Sequence, residues 1–247
     1  MKKGHDVRQV VQQINKDVKS KKDYIVTLNA LEVTTSNNTY PNLKFTDAPD
    51  QYSLTDHSMN QLCGKLEIGT QYLRKCLPVS QELVAHNLNF WIKNTKSKEL
   101  MVRTIERDSD ELPNIARAVC SNRYKRIDND VVVTHSLNKL MDLGLDIKYI
   151  NYDRDTLNVT AVNPKVEGEV SEGDVVQSGV TITNSEIGSG SLMIQPFIYR
   201  LVCTNGMVVP EYLGTFLAKH VGKKLETPDA DEQGTIVIDR MLEQMGM

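Results

Sequence analysis

Between Arg117 and Asn129 four cations surround one aromatic ring: Arg117, Arg123, Lys125 and Arg126 about Tyr124, with Asn122 and Asn129 beside them. A guanidinium presents a rigid fork of donors that matches phosphate oxygens. A phenol ring offers a flat face on which any base can stack. Together they have the composition of a sequence-tolerant grip on a single nucleic-acid strand. Arg103, in the preceding apolar segment, would lengthen the track of cations. The expected nucleic-acid interface is therefore Arg103, Arg117, Arg123, Tyr124, Lys125 and Arg126. Strand alternation puts Arg117 and Val119 on one face. A turn after Ser121 would let Arg123 and Arg126 point elsewhere. The competing reading packs Tyr124 inside and pairs the arginines with Asp128, Asp130 or the acidic end of the chain.

Other chemistries find less support. Cys120, His135 and Asn129 contain the groups of a thiol catalyst, but no nucleophile signature surrounds Cys120. Cys63, Cys76, Cys120 and Cys203 include no C-x-x-C pair and lie in apolar segments. They read as reduced core thiols of a cytoplasmic protein. No two Cys or His have zinc-ligand spacing. The acids of "YDRD" and "RIDND" sit where turns and helix starts favour them, so a magnesium cluster is not expected. "SEIGSGS" lacks the G-K-[ST] ending of a phosphate-binding loop. The expectation is a protein without enzymatic activity, metal or cofactor.

The formal net charge of −3 hides an asymmetry. Residues 65–126 carry a net +5 and residues 127–247 a net −9. A basic middle beside an acidic half can make one positive face on an acidic protein. No apolar run approaches the roughly 18 residues of a membrane span. The basic start lacks the apolar stretch of a secretory signal.

These side chains need elements to hold them. Val7, Val10, Val11, Ile14 and Val18 share one helical face. "YIVTLNALEVTT" reads as one strand from its β-branched content, and "SNNTYPNLKFTDAPDQ" as a polar connection. "LTDHSMNQLCGKLEIGTQYLRKCLP" reads as two short helices, the first capped by Ser53 or Thr55, and resembles a helix-turn-helix carrying Arg74 and Lys75. "SQELVAHNLNFWIKN" is a further helix, opened by Ser80, with Trp91 expected in the core. "KELMVRTI" and "IARAVCSN" read as a hairpin. "NDVVVTHSLNKLMDLG" reads as a helix that Asn129 or Asp130 caps and Gly144 ends. Two strands flank "YDRD". The last third reads as strand, strand, strand, helix, the helix being "EYLGTFLAKHVGKKL" with Leu213, Phe216, Leu217 and Val221 on one face. The fold class is α+β: an antiparallel sheet, with this β-β-β-α meander in the C-terminal half, packed by helices on one face. The expected divisions are an N-terminal arm over 1–50, a basic region over 51–165 and the β-β-β-α unit with an acidic tail over 166–247.

"RAVCSNRYKRIDND", followed by "NSEIGSGSLMIQPFIYRLVCTNGMVVP", resembles an uncharacterised domain family of phage and plasmid-like proteins. The likeness includes "QLCGKLEIGTQYLRKCLP" and the "LNFWI" and "LMVRTI" stretches, over about residues 52–222. It implies a bacteriophage or another mobile element as the setting, and no activity. The β-β-β-α order, with basic residues on preceding elements, is also similar in architecture to ring-forming single-strand annealing proteins. That similarity implies single-stranded DNA as partner and a homo-oligomer, a ring in that architecture. The functional expectation is thus single-stranded DNA binding and strand annealing during recombination or replication. The alternative is an interaction protein that occludes a host protein.

Overall fold

The β-branched run after Ser20 forms two strands that end on opposite edges of one sheet. The structure, a computed structural model, describes residues 6–46, 50–107, 113–169, 175–201, 208–212 and 214–220. Its elements begin with α1 (Val7–Val18), β1 (Lys21–Thr27), a 3₁₀ turn (Leu28–Ala30), β2 (Leu31–Thr34), β3 (Asn42–Phe45) and β4 (Gln51–Leu54). There follow α2 (Asp56–Leu66), α3 (Thr70–Cys76), α4 (Gln81–Asn94), β5 (Glu99–Ile105), β6 (Asn114–Ser121) and α5 (Asn129–Asp142). The chain continues with β7 (Asp146–Tyr152), β8 (Thr156–Glu169), β9 (Val175–Ser185), β10 (Leu192–Leu201), β11 (Val208–Tyr212) and β12 (Phe216–Ala218). It divides into two compact units: residues 19–124, and residues 1–18 with 125–247. The expected boundaries at 50/51 and 165/166 both fall within a unit, the second of them inside β8.

In the unit of residues 19–124 the strand order is β1-β5-β6-β4-β3-β2. All neighbours are antiparallel except β4 and β6. Helices α2, α3 and α4 bury Met59, Leu62, Leu66, Leu73, Val84, Leu88 and Ile92 against Leu54, Leu100, Val102 and Val119 of the sheet. The helix starts follow from their caps: Thr55 and Ser58 form a capping box, and the Ser80 hydroxyl accepts from the Leu83 N–H. Strand β3 lies in the segment read as a connection, and β4 starts at its last residue, Gln51. Four-residue strands carry too little pattern to announce themselves, and partners across the sheet decide them.

Where β5 meets β6, Arg103 pairs with Ala118 and Thr104 with Ala116, so Arg117 is the extra residue of a bulge. The Gln61 side chain, reaching from α2, accepts the Val119 N–H at 2.7 Å beside it. At the end of β5, Glu106 accepts from Tyr24 and pairs with Lys22, and the Tyr52 hydroxyl donates to that of Tyr24 at 3.1 Å. Burial raises the Glu106 carboxyl, but Lys22 and Tyr24 more than offset this and hold it below the usual range. A depressed acid contributes stability above its unfolded value of about 4.3 and loses it as pH falls through the lower folded value. Wild type is therefore expected to lose more stability than Glu106→Gln on acidification below about pH 5, read as thermal midpoints across a pH series.

In the other unit the order is β11-β10-β9-β8-β7, all antiparallel, with β12 also paired to β10. Helices α1 and α5 cover it, placing Val10, Ile14, Val132, Val133 and Leu140 against Ile150, Val159, Val180, Ile182 and Ile194. Helix α5 ends as expected: Gly144 adopts φ +69, its N–H reaches Met141, and Leu145 N–H reaches Leu140. Its N-cap is Asp128, one residue before the expected caps. The β9-β10-β11 meander forms, but strand β12 stands where the final helix was expected. Phe216 and Ala218 pack on the core while Leu217 is exposed, a period of two. The same apolar residues satisfy either period, and pairing with β10 selects the strand. Leu213 and Val221 lie outside the described residues.

Candidate nucleic-acid interface

The six expected site residues fall in both units and at different depths. In the unit of residues 19–124, Arg103 and Arg117 are each 1% exposed. Arg103 lies opposite Asp23 in the β1–β5 register and holds its carboxylate at 2.8 Å. Tyr124 is 6% exposed, with the Arg103 guanidinium 6.0 Å from its ring centre. Sheet position, which spacing alone does not reveal, has therefore turned two cations and the ring inward. The ring packs on a guanidinium instead of offering a face to a base. The neighbouring Cys120 is also buried, and burial pushes its thiol up to about 11.

Arg123 is exposed. It sits in the turn that the Tyr124 N–H closes onto the Ser121 carbonyl at 2.9 Å, and it makes no ion pair or hydrogen bond among the described residues. Lys125 and Arg126 open the other unit and are partly buried. The Lys125 backbone bonds His220 in both directions: its N–H donates to the His220 carbonyl at 2.9 Å, and its carbonyl meets His220 Nδ1 at 3.0 Å. The rest of the motif is a strut. Asn184 Nδ2 donates to the Ile127 carbonyl and to Asn129 Oδ1, and the buried Glu186 accepts the Asn129 N–H at 2.8 Å. Asp130, beside Asp128 and Glu186, has its carboxyl raised by burial and by those two charges.

An aromatic–cation arrangement does lie at the surface of the unit of residues 19–124. Trp91, expected in the core, is 41% exposed, and Phe90 beside it is 52% exposed. The two rings meet edge to face at 5.5 Å. Helix α4 turns Val84, Ala85, Leu88 and Ile92 inward, which leaves the Phe90–Trp91 side facing outward. Trp91 lines a pocket of about 650 Å³ with Leu66 and Glu67 from the end of α2, Asn94 from the end of α4 and Thr95 to Lys98 after it. Lys93, Lys96 and Lys98 are exposed and have no ion-pair partner among the described residues. Asn122 Nδ2 donates to Glu99 Oε2 at 2.9 Å, which ties the Arg123 turn to the residue after Lys98. Lys96 and Lys98 thus border one exposed tryptophan, and Lys93 and Arg123 are exposed elsewhere in the same unit. A sequence signal existed: Phe90–Trp91 followed closely by Lys93, Lys96 and Lys98 has the same ring-and-cation content as 117–126.

Arg74 of the helix-turn-helix look-alike is engaged with Asp56, Nε and Nη2 each reaching one carboxylate oxygen at 2.7 and 2.6 Å. This fork holds the Asp56 carboxyl below its usual range. Among the described residues no three acidic, His or Cys side chains are grouped to hold a metal ion. No helix among them is long and apolar enough to cross a membrane.

Residues 116–233 match the model of a domain of unknown function, DUF932. The likeness to an uncharacterised domain family therefore holds from within β6 onward, with Arg117, Arg123, Tyr124, Lys125 and Arg126 inside it and Arg103 and the Trp91 pocket before it. No curated protein and no solved structure matches the chain.

Proposed function

We propose that the chain binds single-stranded DNA, with Trp91 as the stacking face and Arg123, Lys96 and Lys98 as phosphate contacts. One observation carries this reading: the exposed tryptophan borders a pocket whose cations have no acidic partner among the described residues. An aromatic face beside unneutralised lysines is what a strand needs, since bases stack while phosphates displace counterions. Duplex DNA keeps its bases inside, so it would gain only the phosphate contacts. Strand annealing in the recombination or replication of a mobile element is the process this binding would serve.

Trp91 is the only tryptophan of the chain, so its fluorescence reports the pocket directly. Thymidine oligonucleotides are expected to quench it, and the affinity should fall steeply with salt. Lys96→Ala and Lys98→Ala should each lower the slope of log affinity against log salt by about 0.7. Trp91→Ala, followed by anisotropy of a labelled strand, should weaken binding about tenfold or more. Absence of both quenching and anisotropy change at low salt would reject the proposal and bring forward the protein-partner reading.

A further inference from the structure

Resting on that reading, we propose that the Trp91 pocket is a guanine subsite in which the Glu67 carboxylate takes the Watson–Crick edge of the base. Glu67 caps the end of α2 with φ 60 and ψ 34, in the left-handed region. Its N–H bonds the Cys63 carbonyl there, the role that glycine or asparagine usually fills without crowding. Glu67 is exposed, and its carboxylate makes no hydrogen bond or ion pair among the described residues. It lines the same pocket as Trp91, Lys96 and Lys98. The strained backbone of Glu67 thus sets a carboxylate in the lining of a pocket that also holds a stacking face.

The chemistry then selects the base. A carboxylate only accepts hydrogen bonds, through two oxygens side by side. Guanine alone places two adjacent donors on its Watson–Crick edge, N1–H and the 2-amino group. Adenine and cytosine set a ring-nitrogen acceptor beside their amino group. Thymine sets its single N–H between two carbonyls. Each of these three turns at least one lone pair toward the carboxylate, so only guanine pairs without repulsion. The stacked ring lies on Trp91, and the flanking phosphates meet Lys96 and Lys98.

The test uses the full chain and short thymidine oligonucleotides carrying one central guanine, adenine or cytosine, with Trp91 quenching as readout. The guanine strand is expected to bind about tenfold tighter than the all-thymidine strand, as two matched hydrogen bonds provide. Glu67→Gln, whose amide sets a donor against the donors of guanine, should abolish that preference, weakening the guanine strand while the all-thymidine strand, relieved of the carboxylate's repulsion, binds somewhat tighter. Glu67→Gly should also abolish it while raising the thermal midpoint, because the left-handed backbone is relieved. Equal affinity for all four strands, or a guanine preference that survives in Glu67→Gln, overturns the subsite and leaves strand binding standing. If no strand quenches Trp91, the underlying binding proposal fails and the subsite fails with it.

Discussion

Asp23→Ala is expected to lower the unfolding free energy by about 3–5 kcal/mol, the usual cost of removing one member of a buried ion pair. The Arg103 side chain is 1% exposed and that of Asp23 13%, so water screens little of the interaction. The guanidinium is fixed by the antiparallel register of β1 and β5 and by the Tyr124 ring, and cannot swing out to solvent without opening the sheet. Removing the carboxylate deletes the acceptor 2.8 Å from Nε and takes the ion-pair partner from a buried cation. Asp23→Asn keeps an acceptor in place and should cost less. Arg123→Ala, at an exposed turn position, should leave stability within about 0.5 kcal/mol of wild type. Urea melts of the three variants decide the matter. A loss below about 1 kcal/mol for Asp23→Ala would mean that the guanidinium finds equivalent acceptors nearby.

Gly179→Ala is the second large effect, expected to cost about 3 kcal/mol despite adding one methyl group. Gly179 lies in β9 between Val162 of β8 and Phe197 of β10. A Cβ there would stand 2.4 Å from Phe197 Cζ and 2.5 Å from the Ala161 carbonyl oxygen. The ring is 1% exposed and has little room to retreat, and the oxygen belongs to the neighbouring backbone. At an open position the same change would gain up to about 1 kcal/mol by restricting the unfolded chain, so the sign itself is diagnostic. Phe197→Leu should recover part of the loss in the double variant, because it removes the ring but not the carbonyl. Full recovery would assign the whole clash to the ring. A neutral Gly179→Ala would show that β9 shifts within the sheet.

Local chemistry was legible and sheet position was not. Thr55, Ser80 and Gly144 mark helix ends through hydrogen bonds a few residues long, so their roles can be read from the chain itself. The β5–β6 hairpin and the β9-β10-β11 meander follow from runs of apolar and β-branched residues bounded by polar turns. Strand β12 and the split between β1 and β2 depend on residues distant in sequence. The same holds for the site. Arg103, Arg117 and Arg123 are alike as letters, yet two are buried by a six-stranded sheet and a bulge while the third sits at a turn. Trp91 is three residues from the buried Leu88, close enough to the inward face of α4 that helical spacing alone assigns it to the core.

The outer margin of β2 limits how copies of the molecule can join. Asn89 of α4 accepts the Val33 N–H at 2.8 Å and donates to the Val33 carbonyl at 2.7 Å, imitating one residue of an adjoining strand. Leu31 N–H is taken by Leu28, and Ser36 N–H by Gln81. An incoming strand would find these groups already engaged. Head-to-tail propagation needs two complementary margins per copy, whether it closes into a ring or runs on as a filament. With β2 closed, this sheet has β1 alone to offer, and β1 against β1 is a two-fold pairing that stops at a pair. Any larger cyclic assembly must therefore use at least one surface other than the margins of this sheet.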